Sequence, residues 1–340
     1  ASLMQCGIDV FNLGMVPTPV VFRESRKYGS GIMITSSHNP IDWNGLKFII
    51  NGRGINEDEL STIKNDKSTD KSHVGTEQFI GSDYVNDVVS LVGTIKENSK
   101  TVLDIGGGAA KNVAKEVLEK IGCEVKTLND IKSNRGPDPT TDNLTNLISE
   151  CNQDQIGFAY DLDGDRVVIV INGKKLSPDV TLGLGIVKAM KLGCMKFILS
   201  IDTSIAIEKY IKENGGTVER SKVGEANVVD LMLQTNSEAG GEGSSAGFIL
   251  SRFNFCRDGI LTSALVTSIL KSKEFTNMID LINGYHQLRE KISIESEFHD
   301  KIMDKLKQEM KNEFGQLITI DGIKAIIDEN SWVLIRKSNT

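Results

Sequence analysis

Apolar residues fall in short blocks along this chain, and the blocks alternate with helical spacing. Residues 102–105 (Val-Leu-Asp-Ile) read as a strand. A glycine turn follows, then Val113, Val117 and Ile121, four apart on one helical face. Gly122 stops the helix, and residues 123–125 begin another strand. The same order returns with a strand at 197–202, a helix through Ile207 and Ile211, a stop at Gly215-Gly216 and a strand at 217–218. Strand, helix, glycine stop and strand make a right-handed βαβ crossover in a mixed or parallel sheet. Its recurrence predicts related α/β units. The opening residues 4–10 match only the end of such a unit. The expectation is a sequence that begins inside a helix and is cut short at both ends.

Toward the C-terminus, Phe298, Ile302, Leu306 and Met310 recur every four residues and predict one amphipathic helix over 297–314. Strands are expected at 317–320, 324–327 and 332–335, forming a small sheet. The stretch 65–76 is polar and reads as a linker, and further boundaries fall near 173–179 and 285–290. The predicted layout is 1–76, 77–174, 175–284 and 285–340. The first three are α/β units with mixed parallel sheets, and the last is a smaller, incomplete α+β unit.

Composition narrows the classes. A chain of 340 residues carrying a formal charge of −7 lacks the clustered Lys and Arg that a general nucleic-acid binder needs. No apolar run is long enough to cross a membrane, and no signal peptide opens the chain. Cys6, Cys123, Cys151, Cys194 and Cys256 are scattered, with no C-x-x-C pair. That usage suggests neither a zinc site nor a disulfide framework, and fits a reducing cytoplasm.

Two polar clusters stand out. The first is Thr35-Ser36-Ser37-His38-Asn39-Pro40, after an apolar run (32–34) expected to be a buried strand. A rigid turn at a strand end presents a hydroxyl, an imidazole and an amide, and Pro40 stiffens its exit. The second is Asp161-Leu162-Asp163-Gly164-Asp165-Arg166, between strands expected at 156–160 and 167–171. Three carboxylates at alternate positions converge on one hard cation when Gly164 lets the backbone curl. A helix–loop–helix calcium site is excluded, because its sixth and twelfth positions hold Arg166 and Asn172. The glycines Gly106-Gly107-Gly108 lack a full dinucleotide fingerprint and read as a tight strand-to-helix turn.

Together the two clusters resemble those of the α-D-phosphohexomutase family, whose phosphoserine loop reads T-A/G-S-H-N-P and whose metal loop reads D-G-D-G-D-R. Two more signatures follow in order. Gly241-Glu242-Gly243-Ser244-Ser245-Ala246 resembles the sugar-binding loop G-E-x-S-G-H, and Arg336-Lys337-Ser338-Asn339-Thr340 resembles the phosphate-binding loop R-x-S-N-T-E-P. Lys222-Val223-Gly224 looks like a further substrate contact. The resemblance implies three related α/β domains and a smaller fourth around a central cleft. It implies reversible transfer of phosphate between the 1- and 6-positions of a hexose, through a phosphoserine enzyme and a hexose 1,6-bisphosphate. The catalytic residues would be Ser37, His38, Lys47 and Arg166. Mg2+ would be held by Asp161, Asp163, Asp165 and the phosphate on Ser37. Lys222, Glu242, Ser244, Arg336, Ser338, Asn339 and Thr340 would bind substrate. Lys47 fits either a proton carrier or a charge stabiliser, and His38 either a proton carrier or a brace for the loop. Ser245 and Ala246 depart from the usual Gly and His. They leave open a phosphosugar-binding homologue without activity. A dehalogenase-type phosphatase using Asp161 as nucleophile is the remaining alternative. Neither the preferred sugar (glucose, mannose or glucosamine) nor the oligomeric state is written in these motifs.

Overall fold

The computed structural model describes residues 2–40, 42–65, 73–95 and 99–337. Both predicted crossovers are present. Strands Ser99–Asp104 and Cys123–Leu128 run parallel, joined by the helix Lys111–Lys120. Gln155–Tyr160 adds in parallel on the other side, and Val167–Ile171 and Lys174–Lys175 complete a five-stranded sheet in antiparallel sense. In the next unit Thr217–Ser221, Lys196–Ser200 and Ala239–Glu242 are parallel, and Gly247–Leu250 returns antiparallel. The near-continuous apolar runs at 156–160 and 167–171 are buried on both faces, as covered sheets require.

Each of the first three units ends its sheet with an antiparallel hairpin. The hairpins close at Ile34–Leu46, Tyr160–Val167 and Glu242–Gly247. Every tip contains one residue in the left-handed region: Ser37 (φ 53°), Gly164 (φ 69°) and Ala246 (φ 54°). For a non-glycine this conformation costs roughly 1–2 kcal/mol, so the loops at Ser37 and Ala246 are held against a local preference.

The strand expected to be buried at 32–34 is real but not buried. Ser30–Ile34 is the edge of a three-stranded antiparallel sheet with Leu46–Ile50 and Arg53–Gly54. The helix Thr18–Tyr28 packs against it, and Ile34 remains 68% exposed. The strand Glu77–Phe79 pairs with Val10–Asn12, so the backbone of this first unit runs slightly past the expected linker. Residues 66–72 of that linker lie outside the described residues.

One continuous core joins the second and third units. The helix Gly259–Thr267 is buried along its whole length and packs among Phe158, Tyr160, Phe197 and Phe248. Val20, from the first unit, reaches the same core. Burying such a side chain contributes about 1.5–3 kcal/mol. At the start of that helix Asp258 accepts from Leu261 N (2.9 Å), from Tyr84 Oη (2.5 Å) and from Asn254 Nδ2 (3.2 Å). Asn254 also donates to Pro19 O (3.1 Å), so residues from three units meet here.

The C-terminal unit packs the helix His299–Phe314 on the sheet Leu317–Ile318, Ile323–Ile326 and Trp332–Ile335 through Met310, Ile323 and Ala325. Phe298 falls in a 3-10 turn before the helix and stays half exposed. Lys324 stitches this unit to the third, donating to Ile201 O at 2.7 Å. Burial, helped by Arg220, pulls its ammonium down to about 7.

Burial raises the Asp258 carboxyl to about 6, against the relief that Tyr84 and its other donors supply. A carboxyl raised by folding lowers stability as pH climbs from its unfolded value near 4 to about 6. Tyr84→Phe removes a donor to the charged form. Denaturant unfolding should show a loss of about 1.5–3 kcal/mol at pH 8, and a smaller loss at pH 5, where Asp258 is mostly protonated.

Candidate active site

The acidic loop is the centre of the site. Asp161, Asp163 and Asp165 are essentially buried, and one carboxylate oxygen of each lies within 4.8 Å of the others. The loop is braced from below by the glycine turn. Gly108 lies so close to Leu162 that a Cβ there would meet the Leu162 carbonyl at 2.4 Å, and Ala109 N donates to that carbonyl at 2.8 Å. Arg135 packs over Gly106 and reaches Asp104 at 3.1 Å. The glycine turn is thus a support for the loop, filled by protein.

The second oxygens of Asp163 and Asp165 are shared out to donors from other units. Asp163 Oδ2 accepts from Thr18 Oγ1 (2.7 Å) and Lys47 Nζ (2.8 Å). Asp165 Oδ2 accepts from Lys47 Nζ (3.0 Å) and Arg257 Nη2 (2.9 Å). Asp161 Oδ2, Asp163 Oδ1 and Asp165 Oδ1 are buried with no hydrogen-bond partner among the described residues. Three orphaned carboxylate oxygens facing one point cost free energy unless a cation fills the space. The donor set, all hard oxygen, fits a divalent ion such as Mg2+.

The charge state follows. Burial raises Asp161 well above the ordinary carboxylate range, reinforced by Asp165 and Asp163. Burial pushes Asp165 the same way, but Arg257, Lys47 and Arg166 overcome it and hold it well below. Burial pulls Lys47 down, while Asp165, Asp163 and Glu225 more than offset this and keep it raised. Lys47 is therefore a fixed cation.

The serine turn is linked to this cluster through His38, which feels the charges of Arg166 and Asp165. Ser37 N donates to Thr35 Oγ1 at 2.7 Å, and Ser37 Oγ is 3.4 Å from His38 Nδ1. Burial lowers the His38 imidazole below its usual value, and Arg166 adds to this, so the ring is neutral at pH 7. Arg166 itself is near Asp161 (3.8 Å), Asp165 (3.7 Å) and Asp138 (3.8 Å), and its Nε makes no hydrogen bond among the described residues. A guanidinium so placed retains donors for an anion.

Glu242, expected from the resemblance to bind substrate, sits at the tip of the third hairpin. It is buried, with Oε1 accepting from Gly224 N (2.6 Å) and Oε2 from Arg257 Nη1 (3.0 Å). A carboxylate offers about four acceptor positions, so capacity for a hydroxyl remains. Ser244 is partly buried at the same tip. Lys222 and Arg336 line a cleft of ≈ 360 Å3 together with Asp321 and Lys337. Ser338, Asn339 and Thr340 lie outside the described residues. Sequence reasoning missed Thr18, Glu225 and Arg257. The only signal was charge at Arg257-Asp258, which a surface turn would show equally.

With this geometry in hand, similarity to known proteins can be weighed. Residues 1–73, 82–174 and 178–287 match the phosphoglucomutase/phosphomannomutase alpha/beta/alpha domains I, II and III. The chain belongs to that family. A phosphoglucosamine mutase of Methanococcus maripaludis is 31% identical over all of this chain and 81% of its own length. A crystal structure of a phosphoglucomutase/phosphomannomutase family protein from Burkholderia thailandensis superposes with a TM-score of 0.81 at 26% identity, covering 99% of this chain and 78% of the other. The N-acetylphosphoglucosamine mutase of Aspergillus fumigatus, solved with GlcNAc-6P and magnesium, shares the fold (TM-score 0.54, 12% identity, covering 91% of this chain and 89% of the other).

Asp161→Asn should separate two effects. Without metal it relieves buried like-charge repulsion, so the melting temperature rises. It also removes an oxygen ligand, so the stabilisation by Mg2+ shrinks. In the wild type that stabilisation is about 2.7 kcal/mol at a hundredfold excess over Kd. Melting curves of both proteins with Mg2+ and with EDTA check the opposite signs.

Proposed function

We propose that this phosphohexomutase moves phosphate between the 1- and 6-positions of glucosamine phosphate, with Ser37 as the phosphoryl carrier and Mg2+ at the acidic loop. The observation that carries the reading is the trio of orphaned buried oxygens on Asp161, Asp163 and Asp165, with a left-handed Ser37 in the neighbouring unit's turn as its companion. Glucosamine is favoured by the named relative at 31% identity. Magnesium has a fold-level parallel in the Aspergillus enzyme.

The chemistry follows from the residues. A sugar hydroxyl attacks the phosphorus carried on Ser37, the new O–P bond forms and the bond from phosphorus to Ser37 Oγ breaks. A divalent cation, when bound, supplies charge neutralisation for the transferring group. Lys47, held charged by Asp163 and Asp165, stabilises the same charge and does not serve as a base. His38 is neutral and adjacent to Ser37 Oγ, so it takes the proton from the attacking sugar hydroxyl and passes it to Ser37 Oγ as that oxygen leaves. Arg166 offers its free guanidinium donors to the phosphoryl oxygens. Transfer in the reverse orientation returns the other phosphate of a hexose 1,6-bisphosphate to Ser37. Lys222, Glu242, Ser244 and Arg336, with Ser338, Asn339 and Thr340, hold the sugar and its resting phosphate. Asp161 is wholly buried and its Oδ1 accepts from Arg166 N (3.2 Å), which disfavours the phosphatase reading with Asp161 as nucleophile.

Ser37→Ala should abolish turnover of glucosamine 1- and 6-phosphates while Mg2+ still binds. Peptide mapping of active wild type should find phosphate on Ser37. Phosphate on Ser36 alone refutes the assignment, and hexose phosphate binding without interconversion in the wild type favours the non-catalytic homologue.

The pH profile is a further test. Because His38 is lowered from its ordinary 6.5, kcat/KM should hold steady through pH 7 and fall only below that value, as the ring protonates. His38→Gln should remove that acid limb and lower kcat by roughly 100-fold or more.

A further inference from the structure

Arg257 is buried and belongs to none of the four loops that the family resemblance singles out. Its guanidinium nevertheless joins two of them. Nη2 donates to Asp165 at 2.9 Å and Nη1 to Glu242 at 3.0 Å, while its backbone N and its Nε approach Glu225 Oε2 at 2.9 and 3.2 Å. The arm passes flat against Gly247, where a Cβ would meet Arg257 Cδ at 2.2 Å, so the tip of the third hairpin is shaped around it. Burial opposes its charge, but Asp165, Glu225 and Glu242 keep it raised and cationic. Arg166, by contrast, stands 3.7 Å from Asp165 and touches no sugar-loop group by ion pair.

We propose that Arg257 is a positioning residue for the mutase reaction, a clamp that fixes the spacing between the cation-binding carboxylate Asp165 and the sugar-orienting carboxylate Glu242. The inference rests on the mutase reading. Phosphoryl transfer demands that the sugar hydroxyl and the phosphorus be held about 3–3.5 Å apart. Asp165 belongs to the cation end of the site and Glu242 to the sugar end, on hairpins of different units. A planar fork bonded to both sets their separation, which a flexible ammonium does not. The fork also orients Glu242 so that its remaining acceptor positions are available to hydroxyls, and leaves Asp165 Oδ1 free for the cation.

The test uses Arg257→Met and Arg257→Lys, with calorimetric titration of Mg2+ alone and of glucosamine 6-phosphate. Removing one positive charge beside Asp165 should tighten Mg2+ by about threefold or more in Arg257→Met. Freeing Glu242 should weaken glucosamine 6-phosphate by about tenfold. In Arg257→Lys the charge remains, so Mg2+ should stay within about twofold while the sugar phosphate weakens as before. Adding Glu242→Gln to either variant should cost little more, because both changes disable one contact. A merely structural role predicts that both affinities fall together. That outcome, an unchanged sugar phosphate affinity or full additivity with Glu242→Gln overturns the clamp. If Arg257→Met does not fold, the sugar phosphate affinity of Arg257→Lys decides alone. Absence of wild-type turnover refutes the mutase reading instead, and the Mg2+ titrations still judge the clamp.

Discussion

Three carboxylates forced into one buried loop are the constraint around which this protein is arranged. Packed side by side away from water, Asp161, Asp163 and Asp165 repel one another, and Arg166 in their own hairpin offsets only part of this. The rest of the compensation is imported. Lys47 and Thr18 come from the first unit and Arg257 from the third, and each reaches an outer oxygen at hydrogen-bond distance. Breaking a buried charge pair from one side is far more costly than leaving an exposed pair unmade. The same bonds that make the acidic loop tolerable therefore fix how the first three units meet.

The donors take only one side of the cluster, and that asymmetry makes the site. The outer oxygens are saturated and the inner ones are orphaned. A hard cation is one group whose binding would complete the balance. The three candidate tips stand on equivalent hairpins. The second and third hairpins are anchored by buried strands and the first by largely half-buried ones, and each tip turns through one left-handed residue. The strain at Ser37 and Ala246 persists because neighbouring contacts over-determine it.

The fourth unit is joined differently. Lys324 donates to Ile201 O across the seam, Asp321 accepts from Val223 N at 2.9 Å, and Arg289 from the connecting segment pairs with buried Asp179 at 3.1 Å. Asp179 lies directly under the sugar loop, where a Cβ on Gly243 would collide with its carboxylate. The seam is polar, and it touches the same loop that Arg257 holds from the other side.

Local pattern and motif spelled out much of this. Helical spacing at 113, 117 and 121 and glycine stops at 122 and 215 gave the crossovers, because periodicity and left-handed glycine are properties of a short stretch of chain. The acidic loop and serine turn were legible for the same reason: their chemistry lies within six consecutive residues. The partners were not. Thr18, Glu225 and Arg257 are ordinary residues in sequence, and they matter only because hairpins from three units bring them to one point. The exposure of Ile34 was also beyond local reading, since an apolar strand is buried or not according to what the rest of the chain lays over it. Sequence by itself determined which clusters are candidates for the chemistry. Tertiary structure decided which charges neutralise which, because Coulomb interactions act through space and take no account of position along the chain.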